Sequence, residues 1–552
     1  MSGHDIFEAL LFIPHGYCTV TMAFERTSTS RGQKYRQLVE NRWDPELKQS
    51  RTHVIKHLGK VIEKDGKEIL QPSPLKIDDV VRAYPVGKLA LFWKQIQELN
   101  IQKAVSKPFG EDGKKVSNGI IILALNQLTG RKPLTKLDSW IKEGPLERWM
   151  SISDKKLTKD YFLTALDRIS GDYDEIHFSH ANSIQKNLTK GWRKVVGKEP
   201  ERYLFFHDIT RILWNGGKKN KYAENGHGQL SGRLHIGFGL VVSKDNYMPI
   251  LGYPVRGSHH DTTTVKETIN NLKGSDMKNI TLVWDRGFVS KKNVDLARKS
   301  DLHVISAGVK SNSDVIDLIS KYNDHEIEQR NNIMRMSKDK GIYIKDDIEE
   351  LYGQECKVVV AIDPQKKDHA RVSRDLLLHA LETETDKKII KSLKKGLKPL
   401  VIPSRGRRGY RIDIVEEDIA RRCDGRSLFF CTDKKMSAEE IVRTYFQKDI
   451  VEKAFRHLKG NACLSPVRYQ LPGRIESYLS VVNFIAYEII AGVLWKLRQN
   501  NTTVSYDELM TEADKIYEVQ MTSKGKNVYS WTHMTKPVEN LFKPYSIIDL
   551  QA

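Results

Sequence analysis

Four residues in the last quarter of the chain combine side-chain types that an ordinary core face of a helix does not carry. They are Tyr445, Lys448, Glu452 and Lys459, spaced by three, four and seven positions. At roughly 100° per residue they fall within about 60° of one another on one side of a helix. Taken alone, the stripe also reads as a solvated face, because Lys448 and Glu452 make an i,i+4 pair. Two further acids change that weighting. Asp208 closes the apolar run RYLFFHDI (202–209) and Asp285 closes NITLVWD (279–285). A single Asp at a strand end is commonly a turn starter. Two of them with a helix-borne Glu452 could instead place three carboxylates at one point. Carboxylates are hard oxygen ligands suited to Mg²⁺, with Mn²⁺ expected to substitute. Two such ions about 3.5–4 Å apart activate an attacking oxygen and stabilise a leaving one.

The surrounding pattern supplies elements that would hold these acids. RYLFFHDI reads as a strand, and RLHIGFGLVVS (233–243) with YMPILGYPV (247–255) reads as an antiparallel hairpin across a KDN turn. DTTTVKETINNLKG (261–274) reads as a helix with Asp261 as its cap and a terminal Gly. The strand ending at Asp285, the helix SKKNVDLARKS and the strand LHVISAG follow. Three strands, helix, strand, helix, strand is the order of a ribonuclease-H-like core, in which the first and fourth strands lie side by side. Ser437 with Glu440 forms a capping-box pattern, and Gly460 is a natural stop, so 437–460 reads as one helix.

The fold class expected is therefore α/β: a ribonuclease-H-like mixed sheet flanked by helices, interrupted by an inserted, partly β subdomain. An N-terminal hairpin and a helical region precede it. The boundaries expected are a small β-containing region over 1–76, with the hairpin at 35–63, and a helical, candidate DNA-binding region over 77–200. The first part of the core spans 201–309, the insertion 310–435, the acidic helix and its successor 436–500, and a tail region 501–552. The insertion carries the basic loop SRGRRGYR (404–411), whose Arg405, Arg407 and Arg408 are candidates for nucleic-acid contact.

Composition agrees with an anionic partner. Ninety Lys and Arg against 70 Asp and Glu give a net charge of +20, and cations that neutralise phosphates release condensed counterions. Five scattered cysteines with no CxxC pair argue against a zinc ribbon or a disulfide framework and point to a reducing compartment. His207, His259 and His260 lack zinc-ligand spacing. The Gly-rich stretch 216–232 lacks the order of a phosphate-binding P-loop. No signal peptide is evident. YLSVVNFIAYEIIAGVLWKL (478–497) is long and apolar, but Asn483 and Glu488 at its middle make a buried core helix the better reading and no membrane partner is expected.

Together these motifs resemble an insertion-sequence transposase of the insertion-sequence-four-like group, which carries three catalytic acids. The family pattern Tyr-(2)-Arg-(3)-Glu-(6)-Lys matches YFQKDIVEKAFRHLK (445–459) in every spacing, with Lys448 in place of the usual Arg. Lysine keeps the charge and loses the bidentate fork. FFHDIT (205–210) and LVWDRGF (282–288) resemble the strands bearing the family's two aspartates, and SPVRYQLPGRIESYLSVVNFIAYEI (465–489) its following helical segment. YRQLVENRWD and HVIKHLGK resemble the N-terminal region of a subgroup. The resemblance implies that Asp208, Asp285 and Glu452 ligate the metals, and that Tyr445, Lys448 and Lys459 contact phosphates near an element's end. Arg286, beside Asp285, is a candidate for a flanking phosphate. It further implies water attack to free a 3′-hydroxyl, then attack by that hydroxyl on target DNA. A homo-oligomer, expected to be a dimer on paired ends, would work in the prokaryotic cytoplasm at the nucleoid. The rival expectations are a catalytically inactive DNA-binding derivative and a metal-dependent nuclease without strand transfer.

Overall fold

The computed structural model describes residues 23–551 apart from 31, 45–48, 65–66, 72–76, 153–156, 172–179, 198, 218, 226–231, 259–260, 274–275, 406–408 and 502. The chain divides into two compact units, residues 1–83 with 518–532 and residues 84–517 with 533–552. In the smaller unit, Ala23–Ser30, Gln33–Asp44, Gln49–Lys64 and Lys67–Gln71 form an antiparallel four-stranded sheet. The expected hairpin is its centre: Asp44 pairs with Gln49 and the ladder runs back to Tyr35 and Lys60. Within the tail, Tyr517–Ser523 and Lys526–Trp531 pair as a second hairpin, with Asp79–Pro85 as its third strand.

The larger unit is organised by one mixed sheet. Its first strands are β1 (Tyr203–Leu213), β2 (Leu234–Ser243) and β3 (Pro249–Arg256), with β2 antiparallel to both β1 and β3. Helix α1 (Asp261–Lys273), β4 (Ile280–Trp284), α2 (Lys291–Lys299) and β5 (His303–Ala307) follow. β4 lies parallel to both β1 and β5, so the order is β3-β2-β1-β4-β5. First and fourth strands are neighbours, as the element order predicts for a ribonuclease-H-like core. All five residues of β4 are buried, as a parallel strand covered by helices on both faces requires.

The insertion is more closely tied to this sheet than its sequence suggests. β6 (Ile333–Arg335), β7 (Gly341–Leu351), β8 (Gln354–Ile362) and β9 (Arg426–Cys431) continue it beyond β5 in the order β5-β9-β8-β7-β6. Each of these pairs is antiparallel. Between β8 and β9 a lobe of helices and one short hairpin closes on its own small core of Leu378, Leu381, Leu397, Leu400 and Val401. Arg374 in that lobe grips Asp424, in the turn before β9, through hydrogen bonds of 2.7 and 2.6 Å.

Alternation along the strands sorts the two faces of the sheet. Phe205, Leu282, Trp284 and Phe430 point into a core shared with Val265 and Ile269 of α1 and Val294 and Ala297 of α2. Residues of the other parity therefore point to the opposite face. There lie α3 (Ala438–Phe446) and α4 (Asp449–Gly460), with Phe429 packed against Tyr445 and Phe238 against Phe455. The apolar segment near the C-terminus lies in the helix Pro472–Gln499, whose most apolar 18-residue stretch is almost wholly buried, a core helix as its Asn and Glu predict.

Candidate active site

β1 does not end at Asp208. It continues to Leu213 because β2 stays paired with it as far as Leu213–His235, while the parallel pairing to β4 stops at His207–Trp284. Asp208 is therefore the first residue of β1 beyond its parallel neighbour, and Asp285 is the first residue beyond β4. Both have the parity of the face that α3 and α4 cover. Neighbouring strands lie about 4.8 Å apart, so register alone sets the two aspartates side by side.

Asp285 then enters a short turn, Arg286–Phe288, whose N-terminus it caps. One carboxylate oxygen, Oδ1, accepts three hydrogen bonds: from the Arg286 N–H at 2.9 Å, from Lys448 Nζ at 2.8 Å and from the Tyr445 hydroxyl at 3.3 Å. Burial would push this carboxyl up, but the bonds from Lys448, Arg286 and Tyr445, with the Lys448 charge, hold it below the usual carboxylate range. Lys448 Nζ also stands 5.2 Å from the centre of the Tyr445 ring. Desolvation opposes its charge, yet Asp285, Tyr445 and Glu452 together keep its ammonium above its ordinary range.

The single helix expected over 437–460 is two. The Gln447 N–H reaches both Arg443 and Thr444 carbonyls, and Lys448, Ile450 and Val451 each bond three residues back. The tightened turn breaks the helix between Phe446 and Asp449, with Lys448 at the joint. No Gly or Pro marks the break, so the sequence carries no signal for it. Lys459, near the end of α4, lies within electrostatic range of the other acid, Asp208. Desolvation lowers its ammonium, and the nearby Asp208 charge acts to raise it again. Each aspartate thus has a lysine from the α3–α4 segment.

A family model described as the transposase DDE domain matches residues 199–489, more than half of the chain. The chain belongs to the DDE transposase family. That match runs from β1 into the buried helix and contains every acid and lysine placed above. No curated protein matches the chain. A solved structure, the cryo-EM structure of a piggyBac transposase synaptic complex with hairpin DNA, is similar at a TM-score of 0.36 and 10% identity, over 78% of this chain and 79% of that one.

DDE transposase domains generally use divalent metal ions. In this transposase the donor set suits such ions by kind, with two aspartates adjacent in register and an acid on the helix above them. The three acids nevertheless do not close on one point: among the described residues, no three His, Cys, Asp or Glu side chains stand close enough to hold a metal ion. Asp285 is instead engaged by Lys448, and Glu452 is exposed in the first turn of α4. Arg286 is exposed beside Asp285, its backbone N–H bonded to that carboxylate. Arg405 is exposed in the hairpin loop of the inserted lobe. Arg407 and Arg408 lie outside the described residues, as do His259 and His260.

His207, next to Asp208, belongs to the other face. Burial drives its pKa down to about 3, and Nε2 pairs with the Tyr253 hydroxyl at 2.9 Å. Gly239 leaves room for that tyrosine, since an added Cβ would lie 2.6 Å from the ring carbon Cζ. A neutral, core-facing imidazole is not placed to share a metal with Asp208. Sequence reading missed Tyr445 and Lys448 as direct partners of Asp285. The signal was available in their spacing, but only the strand register shows which acid they meet.

Proposed function

We propose that this protein is a cut-and-paste DNA transposase of the insertion-sequence-four-like group, cleaving DNA at the ends of a mobile element and joining those ends to a target. The observation that carries the reading is the meeting of Asp285 with Tyr445 and Lys448, which ties the Tyr-Lys-Glu-Lys spacing of α3 and α4 to the acid at the end of β4.

In this reading Asp208, Asp285 and Glu452 hold two divalent ions, Mg²⁺ or Mn²⁺. When bound, such ions activate an attacking oxygen and stabilise a leaving one. The chain's own groups do the rest. Lys448 and Tyr445 keep Asp285 ionised and aimed at the open end of β4 before DNA arrives. An incoming phosphate draws the Lys448 ammonium from Asp285, freeing the carboxylate as the substrate takes its place. Lys459 acts likewise beside Asp208, and Arg286 steadies a flanking phosphate. The net positive charge brings DNA to this face. Paired element ends imply a homo-oligomer, expected to be a dimer, acting at the prokaryotic nucleoid.

A strand-transfer assay tests this. Purified protein, Mg²⁺ and DNA bearing a pre-cut element end are mixed with plasmid. Covalent joining through the free 3′-hydroxyl is the expected result. Cutting without joining would make the protein a nuclease, and binding with neither would make it an inactive derivative.

A further inference from the structure

A second cationic site lies beyond the acids. A cavity of about 530 Å³ opens between the helical region and the segment that follows α4. Arg131, Lys132, Lys159, Arg468 and Arg474 line it, with no carboxylate among the described lining residues. Two of these cations are already engaged. Arg474 makes a bidentate pair with Asp167 at 2.7 and 2.8 Å, and Arg131 Nη1 donates to the Cys463 carbonyl at 2.8 Å. Lys132, Lys159 and Arg468 are exposed and have no acid partner among the described residues.

The wall is built, not merely charged. Arg131 sits at φ 50°, a left-handed conformation that costs a non-glycine residue about 1 kcal/mol or more. Asn126 holds it there: its carbonyl accepts from Arg131 N–H at 2.7 Å, and its side chain exchanges hydrogen bonds of 2.7 and 2.9 Å with the Lys132 backbone. The opposite wall is fastened to the strand that carries Asp208. Val467 N–H donates to the Leu213 carbonyl at 2.9 Å, and Trp214 Nε1 donates to the Tyr469 carbonyl at 2.9 Å. From Asp208 to Trp214 is six residues of extended chain, roughly 20 Å at about 3.3 Å per residue. A duplex strand rises about 3.4 Å per nucleotide, so this is roughly six nucleotides of DNA.

Resting on the DNA-acting reading above, we propose that this cavity binds a sugar-phosphate segment of DNA about six nucleotides from the bond that reacts at Asp208 and Asp285. Its aromatic residues do not offer a stacking platform: Tyr478 is buried, its hydroxyl hydrogen-bonded to Gln127 and its ring packed against Tyr469. The exposed cations Lys132, Lys159 and Arg468 suit phosphate oxygens, whose neutralisation carries the salt dependence of DNA binding.

The test is the salt dependence of DNA binding by the full-length protein, wild type against a Lys132→Gln/Lys159→Gln/Arg468→Gln variant. Two duplexes are used, one from the DNA flanking the gene and one of scrambled sequence. Each lost phosphate contact removes about 0.9 from the slope of log affinity against log salt. The inference predicts a slope shallower by about 2–3 and binding at least tenfold weaker at low salt, with an unchanged melting temperature. A loss confined to the flanking duplex assigns the site to element ends, and an equal loss on both assigns it to DNA generally, including target. A wild-type slope in the variant overturns the inference alone. A wild-type protein that binds neither duplex overturns the DNA-acting reading as well. Arg468→Lys, which keeps the charge, restores the slope at that position if the contact is electrostatic.

Discussion

Lys448 Nζ lies 2.8 Å from Asp285 Oδ1 across the broken helix, a pair with side chains 32% and 51% exposed. At that exposure an ion pair adds little to stability, about 0–1 kcal/mol. Lys448→Ala is therefore expected to shift unfolding by no more than about 1 kcal/mol, while weakening DNA binding and cleavage. Chemical denaturation beside a cleavage assay separates the two roles. A large loss of stability with normal cleavage would make the pair structural. Lys448→Arg, which keeps the charge and gains the fork, is expected to bind at least as well as wild type.

The same pair sets a pH dependence. The Asp285 carboxyl is held below its ordinary range, so its stabilising contribution is fully present above about pH 4, the ordinary carboxylate value. It is lost only as pH falls through the depressed value. In Lys448→Met the carboxyl is expected to titrate at higher pH. The acid limb of cleavage should move up accordingly, and an unmoved limb in a pH–rate profile would dissociate Asp285 from that limb.

Lys459 gives the complementary prediction at alkaline pH. Desolvation lowers its ammonium and the Asp208 charge opposes that lowering. Asp208→Asn removes the opposing charge, so Lys459 is expected to lose its proton at lower pH than in wild type. Fluorescence anisotropy with labelled duplex should show DNA binding failing earlier on the alkaline side. Superimposable binding curves would place Lys459 off the DNA path.

Glu488, in the buried helix, is a separate case. Burial pushes its carboxyl up to about 8, and Oε2 has no hydrogen-bond partner among the described residues. The native state keeps a proton that the unfolded chain releases near its ordinary value of about 4.3. Its contribution to stability is thus complete below that pH and is lost as pH rises towards 8. At pH 7 the difference is about 3 kcal/mol. Glu488→Gln should melt near wild type at pH 5 and clearly above it at pH 8. Parallel melting curves across that range would contradict the assignment.

In the inserted lobe, Arg374 and Asp424 are only 8% and 5% exposed. Removing one partner of such a pair strands a charge, at about 3–5 kcal/mol. Arg374→Ala is expected to cost that much, and Arg374→Met with Asp424→Leu to recover most of it. A single-variant loss below about 1 kcal/mol in denaturant unfolding would show that water reaches the pair.

The central strands were legible because NITLVWD and RYLFFHDI are apolar runs with an acid placed at a break in pattern. Their side-by-side placement followed from element order. The continuation of β1 past Asp208 was hidden because ITRIL mixes polar and apolar residues, and only pairing with β2 sustains it. The helix break at Gln447 was invisible, since no Gly or Pro marks it and the contact of Lys448 with Asp285 beside it is tertiary. The joining of β9 to β5 was equally hidden: SLFFCT reads as a strand, but nothing local names a partner more than a hundred residues away. Arg131 and Arg468 escaped notice for the same reason, being brought together by the fold and by no spacing.

Glu452 is exposed in the first turn of α4, and its catalytic assignment can be tested without disturbing the core. Glu452→Gln preserves size and hydrogen-bonding capacity and removes one charge. The deciding measurement is Mg²⁺-dependent cleavage of DNA carrying the element's ends, with DNA binding measured on the same preparations. The catalytic assignment of Glu452 predicts binding at or above wild type and cleavage lower by about 10²–10³-fold or more, the scale of losing a group that stabilises developing charge. Cleavage equal to wild type, with binding intact, would contradict it.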